Sequence, residues 1–358
     1  MIKKDPWHYP RIDLAHSIIT TLSSNIVHAL TLFAPRRMGK TEFLTKDITP
    51  TAENADFRVF YFSFLDGFSG DVVARFTHAL SRFVADTNLL SKSTDKAKNI
   101  KSVGAAGFSL ELREQQPESI SDLLNALALA GQPVLLLLDE IQELSNIPKA
   151  AGVIGSLRTG LDLNRETIKT IFTGSSRNGL QSMFSDSRAP FFHFSTSLDF
   201  PTLDDGFVLH LAAIYKSITG ETINEVTLID AFNQLGRVPM HLRNLIKDVI
   251  LDPAHELTAA LAKLKSTIET TQDYSGVWHS LKGLDKAIIQ RMAHGGTEPY
   301  STDARAIYAG MVGVKSIGMA TVQSAIRRLI RQNHLTKNAL GDYVLSEPNF
   351  LQWVQEQQ

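Results

Sequence analysis

Apolar and polar positions along the first 205 residues alternate between short apolar runs and longer amphipathic stretches. The apolar runs predict β-strands at Ala29–Phe33, Phe57–Phe64, Pro133–Leu138, Thr167–Thr173 and His193–Phe200, with a further short strand at Phe108–Leu112. The stretches between them predict helices, among them residues 12–28, 71–90 and 118–130. Uninterrupted apolar strands that alternate with helices predict a doubly wound, parallel α/β sheet that is buried on both faces.

The pattern changes after this region. Residues 206–272 are helical in pattern without a strand-like run, which predicts a helical lid after the sheet. Residues 277–358 contain three short apolar-spaced segments and then two strand-like segments around a turn, which predicts a winged helix. We therefore divide the chain into residues 1–205, 206–272 and 273–358. The polar, lysine-bearing segment 91–106 predicts a mobile connector, and a DNA-contacting loop is the alternative.

A motif for phosphate binding lies between the first strand and the helix that begins near Glu42. It reads Ala34-Pro35-Arg36-Arg37-Met38-Gly39-Lys40-Thr41 and matches the spacing GxxxxGK[ST], with alanine in place of the first glycine. A strand–loop–helix order directs backbone N–H groups and a helix N-terminus at one anion. Lys40 is then expected to reach the β- and γ-phosphates of a nucleotide, and the Thr41 hydroxyl to ligate Mg²⁺. We include Glu42 in the nucleotide-binding set.

Two carboxylates follow the third predicted strand. Asp139 and Glu140 end the apolar run 133–138 and are therefore expected at the carboxyl edge of the sheet, where ligands of α/β folds bind. Asp139 would hold Mg²⁺ from its outer coordination sphere, and Glu140 would polarise the attacking water. The alternative is that Asp139 caps the next helix.

Polar residues at the tip of the next strand add a third element. Ser175 and Ser176 follow Gly174 and are candidates to contact the γ-phosphate between the ends of the predicted strands 29–33 and 133–138. Either serine is also a suitable helix N-cap, and both interpretations stay open.

These motifs resemble one family. The strings at residues 35–41, 138–142 and 172–176 are similar to those of archaeal and bacterial P-loop ATPases related to AAA+ and STAND NTPases. The resemblance implies an AAA+/STAND-like sheet, ATP and Mg²⁺ as ligands, and ATP hydrolysis. It also places the stretch Gly236–Pro239 near the nucleotide, so that Arg237 would contact phosphate from the lid; a surface arginine is the alternative. Two features depart from the family pattern. Ala34 stands where the family has glycine. In the N-terminal flank only Pro10-Arg11 resembles the family's Gly-Arg-Glu entry motif, which leaves the adenine contacts unassigned.

Composition narrows the class of protein. The 358 residues include no cysteine, which excludes disulfides, thiolate catalysis and cysteine-based zinc sites. No apolar run reaches the length of a membrane helix, and we expect a cytoplasmic protein without a membrane partner. The net charge is −1, so the overall charge of the chain does not indicate nucleic-acid binding.

A local basic patch lies in the predicted winged helix. Residues 319–338 contain Arg327, Arg328, Arg331 and Lys337 and no acidic residue, which suits a DNA phosphate backbone. Helix-end stabilisation in a protein-docking module is the alternative. Three functions stay open: a DNA-associated ATPase that switches or remodels a protein–DNA complex, a STAND-like signalling switch, and a nucleotide-gated scaffold. A homo-oligomer is also considered, with Arg158 as a candidate finger toward a neighbouring subunit.

Overall fold

The structure is a computed structural model, and it describes residues 5–65, 71–94, 119–147, 150–184, 189–252, 256–338 and 341–356. The predicted strand 108–112 and most of the predicted connector 91–106 lie outside these residues. Ser91 to Thr94, the start of that connector, continue a helix instead.

A five-stranded parallel sheet forms the centre of the first half of the chain. Its strands are β1 (Ala29–Phe33), β2 (Arg58–Ser63), β3 (Val134–Asp139), β4 (Ile168–Gly174) and β5 (Thr196–Asp199). Their order across the sheet is β2–β3–β4–β1–β5, so β4 lies between β1 and β3. The predicted α/β fold with a parallel sheet is confirmed.

Alternate side chains of the central strands pack into two separate hydrophobic cores, one on each face of the sheet. Leu135 and Leu137 of β3 face one core and Leu136 and Leu138 the other, and all four are fully buried. This two-sided burial explains why β3 is an unbroken apolar run in the sequence.

Helices cover both faces of the sheet. They are α1 (Ile12–Ser23), α2 (Lys40–Glu42), α3 (Thr49–Asn54), α4 (Val72–Thr94), α5 (Ile120–Ala128), α6 (Ala151–Leu163) and α7 (Arg177–Phe184). A π-helical segment, Phe43–Ile48, joins α2 to α3, and a 3-10 segment, Ile141–Asn146, follows β3. Side chains of α1 and of the α2–α3 region pack on one face, and those of α4 to α7 pack on the other.

The remainder is mostly helical. It comprises α8 (Asp205–Thr219), α9 (Glu225–Gln234), α10 (Pro239–Leu251), α11 (Leu257–Gln272), α12 (Tyr274–Ser280), α13 (Gly283–Ala293), α14 (Thr302–Val312), α15 (Met319–Arg331), β6 (Leu335–Lys337), β7 (Tyr343–Leu345) and α16 (Pro348–Glu356). β6 and β7 pair antiparallel. Helices α13 to α15 and this pair have the element order predicted for a winged helix, an assignment that stays a prediction.

One core runs through this whole region. Phe207 and Phe232 of the predicted lid belong to the same buried cluster as Phe350 and Trp353 of α16. Tyr274, at the predicted boundary, belongs to the same cluster and packs its ring 5.4 Å from that of Phe350 in a tilted arrangement. The lid (residues 206–272) and the C-terminal module (residues 273–358) therefore share one buried core, and the division at residue 272 stays a prediction. No helix within the described ranges is long and apolar enough to cross a bilayer.

Candidate nucleotide site

The loop after β1 has the backbone of an anion cradle. Arg37 and Gly39 adopt left-handed conformations with φ of 68° and 88°, and helix α2 begins directly after Gly39. Such a sequence of turns directs successive N–H groups inward at the start of a helix. Ala34 and Met38 are buried in the core beneath the loop and anchor it, whereas the side chains of Arg36 and Arg37 are exposed.

The Lys40 ammonium lies inside this loop. Its Nζ donates to the carbonyl oxygens of Ala34 at 2.6 Å and Pro35 at 3.0 Å, and lies 3.9 Å from Oε1 of Glu140. The side chain is 6% exposed, and this burial lowers the pKa of Lys40. A buried cation whose hydrogen-bond partners are carbonyls is well placed to exchange them for phosphate oxygens.

Asp139 collects hydroxyl donors from three elements. Thr41 donates to its Oδ2 at 2.8 Å and Tyr61 to the same oxygen at 3.1 Å, while Thr173 of β4 donates to Oδ1. Asp139 is buried. Partial burial of Tyr61 raises the pKa of its hydroxyl, and the negative charge of Asp139 adds to the rise. The pairing of Thr41 with Asp139 fits the Mg²⁺ site that the sequence predicts, since Mg²⁺ needs few protein ligands when substrate phosphates and water supply the rest.

Glu140 is fixed by the end of β4. Its Oε2 accepts from the backbone N–H of Ser175 at 2.9 Å, from the Ser175 hydroxyl at 2.7 Å and from Nε2 of Gln142 at 2.5 Å. Ser175 therefore contacts Glu140. The Ser176 hydroxyl accepts from the N–H of Gly179 at 3.1 Å, which is the helix-capping alternative. Contact of either serine with a γ-phosphate stays a prediction.

A cavity of about 520 Å³ opens beside these groups. It is bounded by the phosphate loop, by the N-terminal segment and by α10, and its lining includes His8, Tyr9, Arg11, Glu140, Pro239, Met240, Arg243, Asn244 and Lys247. This volume is within the range of small-molecule and cofactor sites. The sequence motifs assign no role to the residues of the N-terminal segment and of α10 that line this cavity. Met240, Arg243, Asn244 and Lys247 share helical spacing, which is the one sequence signal that groups them.

A partly buried charge network connects the three walls of the cavity. Arg243 of α10 lies 2.9 Å from Glu42, and His8 lies 2.8 Å from Asp47 and 3.8 Å from Glu42. The hydrogen bond to Asp47 raises the pKa of His8 to about 9, with Glu42 adding to the effect. Contact with His8 and Arg243 lowers the pKa of Glu42. Glu42 therefore joins the loop helix to the N-terminal segment and to α10.

Arg237 does not reach this cavity. Its guanidinium donates to Asn233 at 2.8 Å, to the Leu203 carbonyl at 2.8 Å and to Asp205 at 3.0 Å. The structure brings Arg243, six residues further on, to the cavity instead. Arg158, the candidate finger toward a neighbouring subunit, donates a hydrogen bond to the Pro190 carbonyl of its own chain at 2.7 Å.

The C-terminal module meets the phosphate loop on its other side. A second cavity of about 530 Å³ is lined by Arg36, Arg37 and Ser175 from the sheet region and by Ser346 and Glu347 from the module. Burial raises the pKa of Glu347, and the positive charges of Arg37 and Arg36 oppose that rise. The two loop arginines therefore line both cavities and face an acidic residue of the module.

The predicted DNA-binding residues divide into two groups. Arg327, Arg331 and Lys337 are exposed. Arg328 instead donates from Nε to Oδ2 of Asp285 at 2.8 Å and from Nη2 to Oδ1 at 2.5 Å, and Asp285 is buried. This bidentate pair occupies the guanidinium, so we leave Arg328 out of the phosphate-binding set.

The fold is similar to two solved archaeal structures. A Walker-type ATPase of Pyrococcus abyssi gives a TM-score of 0.64 at 14% identity, over 98% of this chain and 100% of that chain. The Aeropyrum pernix ORC2 protein, solved as ADPNP–ADP complexes, gives a TM-score of 0.51 at 15% identity, over 96% of this chain and 91% of that one. At this identity the likeness shows the fold alone, and it spans the sheet and the helices that follow. No protein-family model and no curated protein matches the sequence.

Proposed function

We propose that this chain binds ATP with Mg²⁺ and hydrolyses it. The observation that carries the proposal is the convergence of Lys40, Thr41, Asp139 and Glu140 at the carboxyl edge of the sheet, next to a cavity of about 520 Å³. One cation, one hydroxyl and two carboxylates are the groups that phosphoryl transfer to water requires. The similar Aeropyrum pernix protein is described with ADPNP and ADP, which supports a nucleotide as the ligand.

In the proposed reaction each group has one task. Lys40 exchanges its two carbonyl partners for β- and γ-phosphate oxygens. Thr41 ligates Mg²⁺, and Asp139 keeps the Thr41 oxygen oriented. Mg²⁺, when bound, neutralises charge on the β- and γ-phosphates. Glu140 accepts the proton of the attacking water.

We propose further that nucleotide binding changes how the C-terminal module is held. The loop arginines Arg36 and Arg37 face Glu347, and a nucleotide phosphate would compete with that carboxylate for them. The module is attached to the lid by a buried contact in which Nδ2 of Asn349 lies 2.9 Å from Nε2 of His241. Burial, together with the nearby charge of Arg37, lowers the pKa of His241 to about 4, so its neutral ring accepts this hydrogen bond.

DNA is the partner we favour for the module. Arg327 and Arg331 are four residues apart on α15 and so share one face, and Lys337 follows on β6. Exposed cations without neighbouring acids along this segment suit a phosphate backbone of any sequence. ATP turnover would then switch or remodel a protein–DNA complex.

The alternative is a STAND-like signalling switch in which the module docks protein and holds the nucleotide site closed. The continuous core between lid and module favours it, since such packing suits a closed state. ATP-dependent assembly with slow turnover and no DNA stimulation would support this alternative over the first.

The experiment that tests the proposal measures ATP affinity and turnover in the wild type, in Lys40→Ala and in Lys263→Ala as a control at an exposed lysine of α11. We expect Lys40→Ala to abolish binding or turnover, because it removes the buried cation inside the loop. The control should behave like the wild type. Unchanged affinity and turnover in Lys40→Ala would overturn the assignment of the loop.

A further inference from the structure

The Glu140 carboxylate accepts a hydrogen bond from Gln142, a residue to which the proposed reaction gives no role. Gln142 lies two residues after Glu140 in the 3-10 segment and is 2% exposed. Its Nε2 donates to Oε2 of Glu140 at 2.5 Å. An ionised carboxylate only accepts hydrogen bonds, so the nitrogen of the amide, not its oxygen, must face Glu140.

Two glycines make room for this side chain. A Cβ at Gly174 would overlap Oε1 of Gln142, and a Cβ at Gly179 would lie 2.9 Å from both Cβ and Cγ of Gln142. Gly174 ends β4 and Gly179 lies in α7. The amide is therefore confined between two backbones in one position.

The two oxygens of Glu140 consequently have different surroundings. Oε2 receives three donors, from Gln142 and from the N–H and hydroxyl of Ser175. Oε1 lies 3.9 Å from the Lys40 ammonium, on the side of the cavity that both residues line. Glu140 itself has a left-handed backbone, with φ of 55°, so its orientation depends on these contacts.

We infer that Gln142 is a positioning residue for ATP hydrolysis: it anchors Oε2 of Glu140 so that Oε1 receives the proton of the attacking water. In this step the water oxygen bonds to the γ-phosphorus, and the bond from that phosphorus to the bridging oxygen breaks. Its electron pair leaves with ADP, and the water proton passes to Oε1. The inference rests on the proposed ATPase activity and assigns the reacting atom within it.

The test compares Gln142→Met, which keeps the side-chain volume and removes the donor, with Gln132→Met, at an exposed glutamine. We expect Gln142→Met to lower kcat about ten- to hundredfold, because misplacing a catalytic group by about an ångström has effects of that size. ATP affinity should stay within about twofold, since Gln142 does not line the nucleotide cavity. Gln132→Met should match the wild type in both.

A double-mutant cycle shows whether Gln142 acts through Glu140. In a Glu140→Gln background, Gln142→Met should produce little further loss, because the group it positions is already gone. Gly179→Ala, which crowds Gln142 without altering a polar group, should lower kcat in the same way as Gln142→Met.

The outcomes separate this inference from the proposed function. A wild type without hydrolysis overturns both. If the wild type hydrolyses ATP and Glu140→Gln is slow, but Gln142→Met turns over at the wild-type rate or faster, the positioning role alone is wrong. An equal loss from Gln142→Met in both backgrounds would also overturn it, since Gln142 would then act elsewhere.

Discussion

The ion-pair network around His8 predicts a pH-dependent stability that one substitution removes. The pKa of His8 rises from its ordinary value of 6.5 to about 9 in the folded chain. At 1.36 kcal/mol per unit, a rise of about 2.5 units is worth about 3 kcal/mol. Because His8 and Glu42 are only partly buried, solvent screens these interactions, and we expect a contribution on the order of 2 kcal/mol.

The sign follows from which state binds the proton more tightly. A raised folded-state pKa means that the contribution is fully present below pH 6.5 and is lost as the pH rises toward about 9. His8→Gln keeps a hydrogen-bond donor for Asp47 but cannot titrate. The wild type should therefore lose about 2 kcal/mol of unfolding free energy relative to His8→Gln between pH 6.5 and 9.

Urea denaturation at half-unit pH steps measures this difference. His16→Gln, at an exposed histidine of α1, is the matched control and should follow the wild type. Parallel stability curves for the wild type and His8→Gln across this range would refute the reasoning, since His8 would then bind its proton no more tightly in the folded than in the unfolded chain.

Two further predictions concern the C-terminal module and the loop. Replacing Arg327, Arg331 and Lys337 by alanine should weaken binding to DNA duplexes of any sequence and lower the slope of log affinity against log salt by about three. ATP hydrolysis without DNA should be unchanged. Salt-insensitive or absent DNA binding by the wild type would contradict this prediction. Gly39→Ala should destabilise the chain by about 1 kcal/mol in urea denaturation, because φ is 88° although no atom lies within 4 Å of the added Cβ. Gly152→Ala in α6, at a helical glycine with equal space, should instead be neutral or stabilising, and equal effects at both sites would contradict the argument from backbone conformation.

Most of the sheet could be predicted from the sequence because each central strand is buried on both faces. The apolar runs located β1 and β3 to within one residue at each end, and β4 equally well. Helices α12 and α16 are among those that the sequence pattern did not predict. The α12 segment, Tyr274–Ser280, is only seven residues long, and α16 is nine residues long, although its buried residues Phe350, Trp353 and Val354 have helical spacing.

Local motifs predicted the residues that converge at the candidate site, but not the residues that distant parts of the chain bring to it. Arg243 and Glu42 are 201 positions apart, and His8 and Asp47 are 39 apart. Spacing along the chain carries no information about such contacts. Arg328 illustrates the same limit: it lies about 100° around α15 from Arg327, which turns it to the buried Asp285 of α13.

The measurement that tests the central claim most directly is phosphate release from ATP by the wild type and by Glu140→Gln, with ATP affinity determined for both. We predict that Glu140→Gln binds ATP as tightly as the wild type and hydrolyses it at least about a hundredfold more slowly, because it lacks the proton acceptor beside Lys40. Equal turnover in the two proteins would make Glu140 a structural acid. A wild type that binds ATP without releasing phosphate would contradict the ATPase account and leave a nucleotide-gated scaffold.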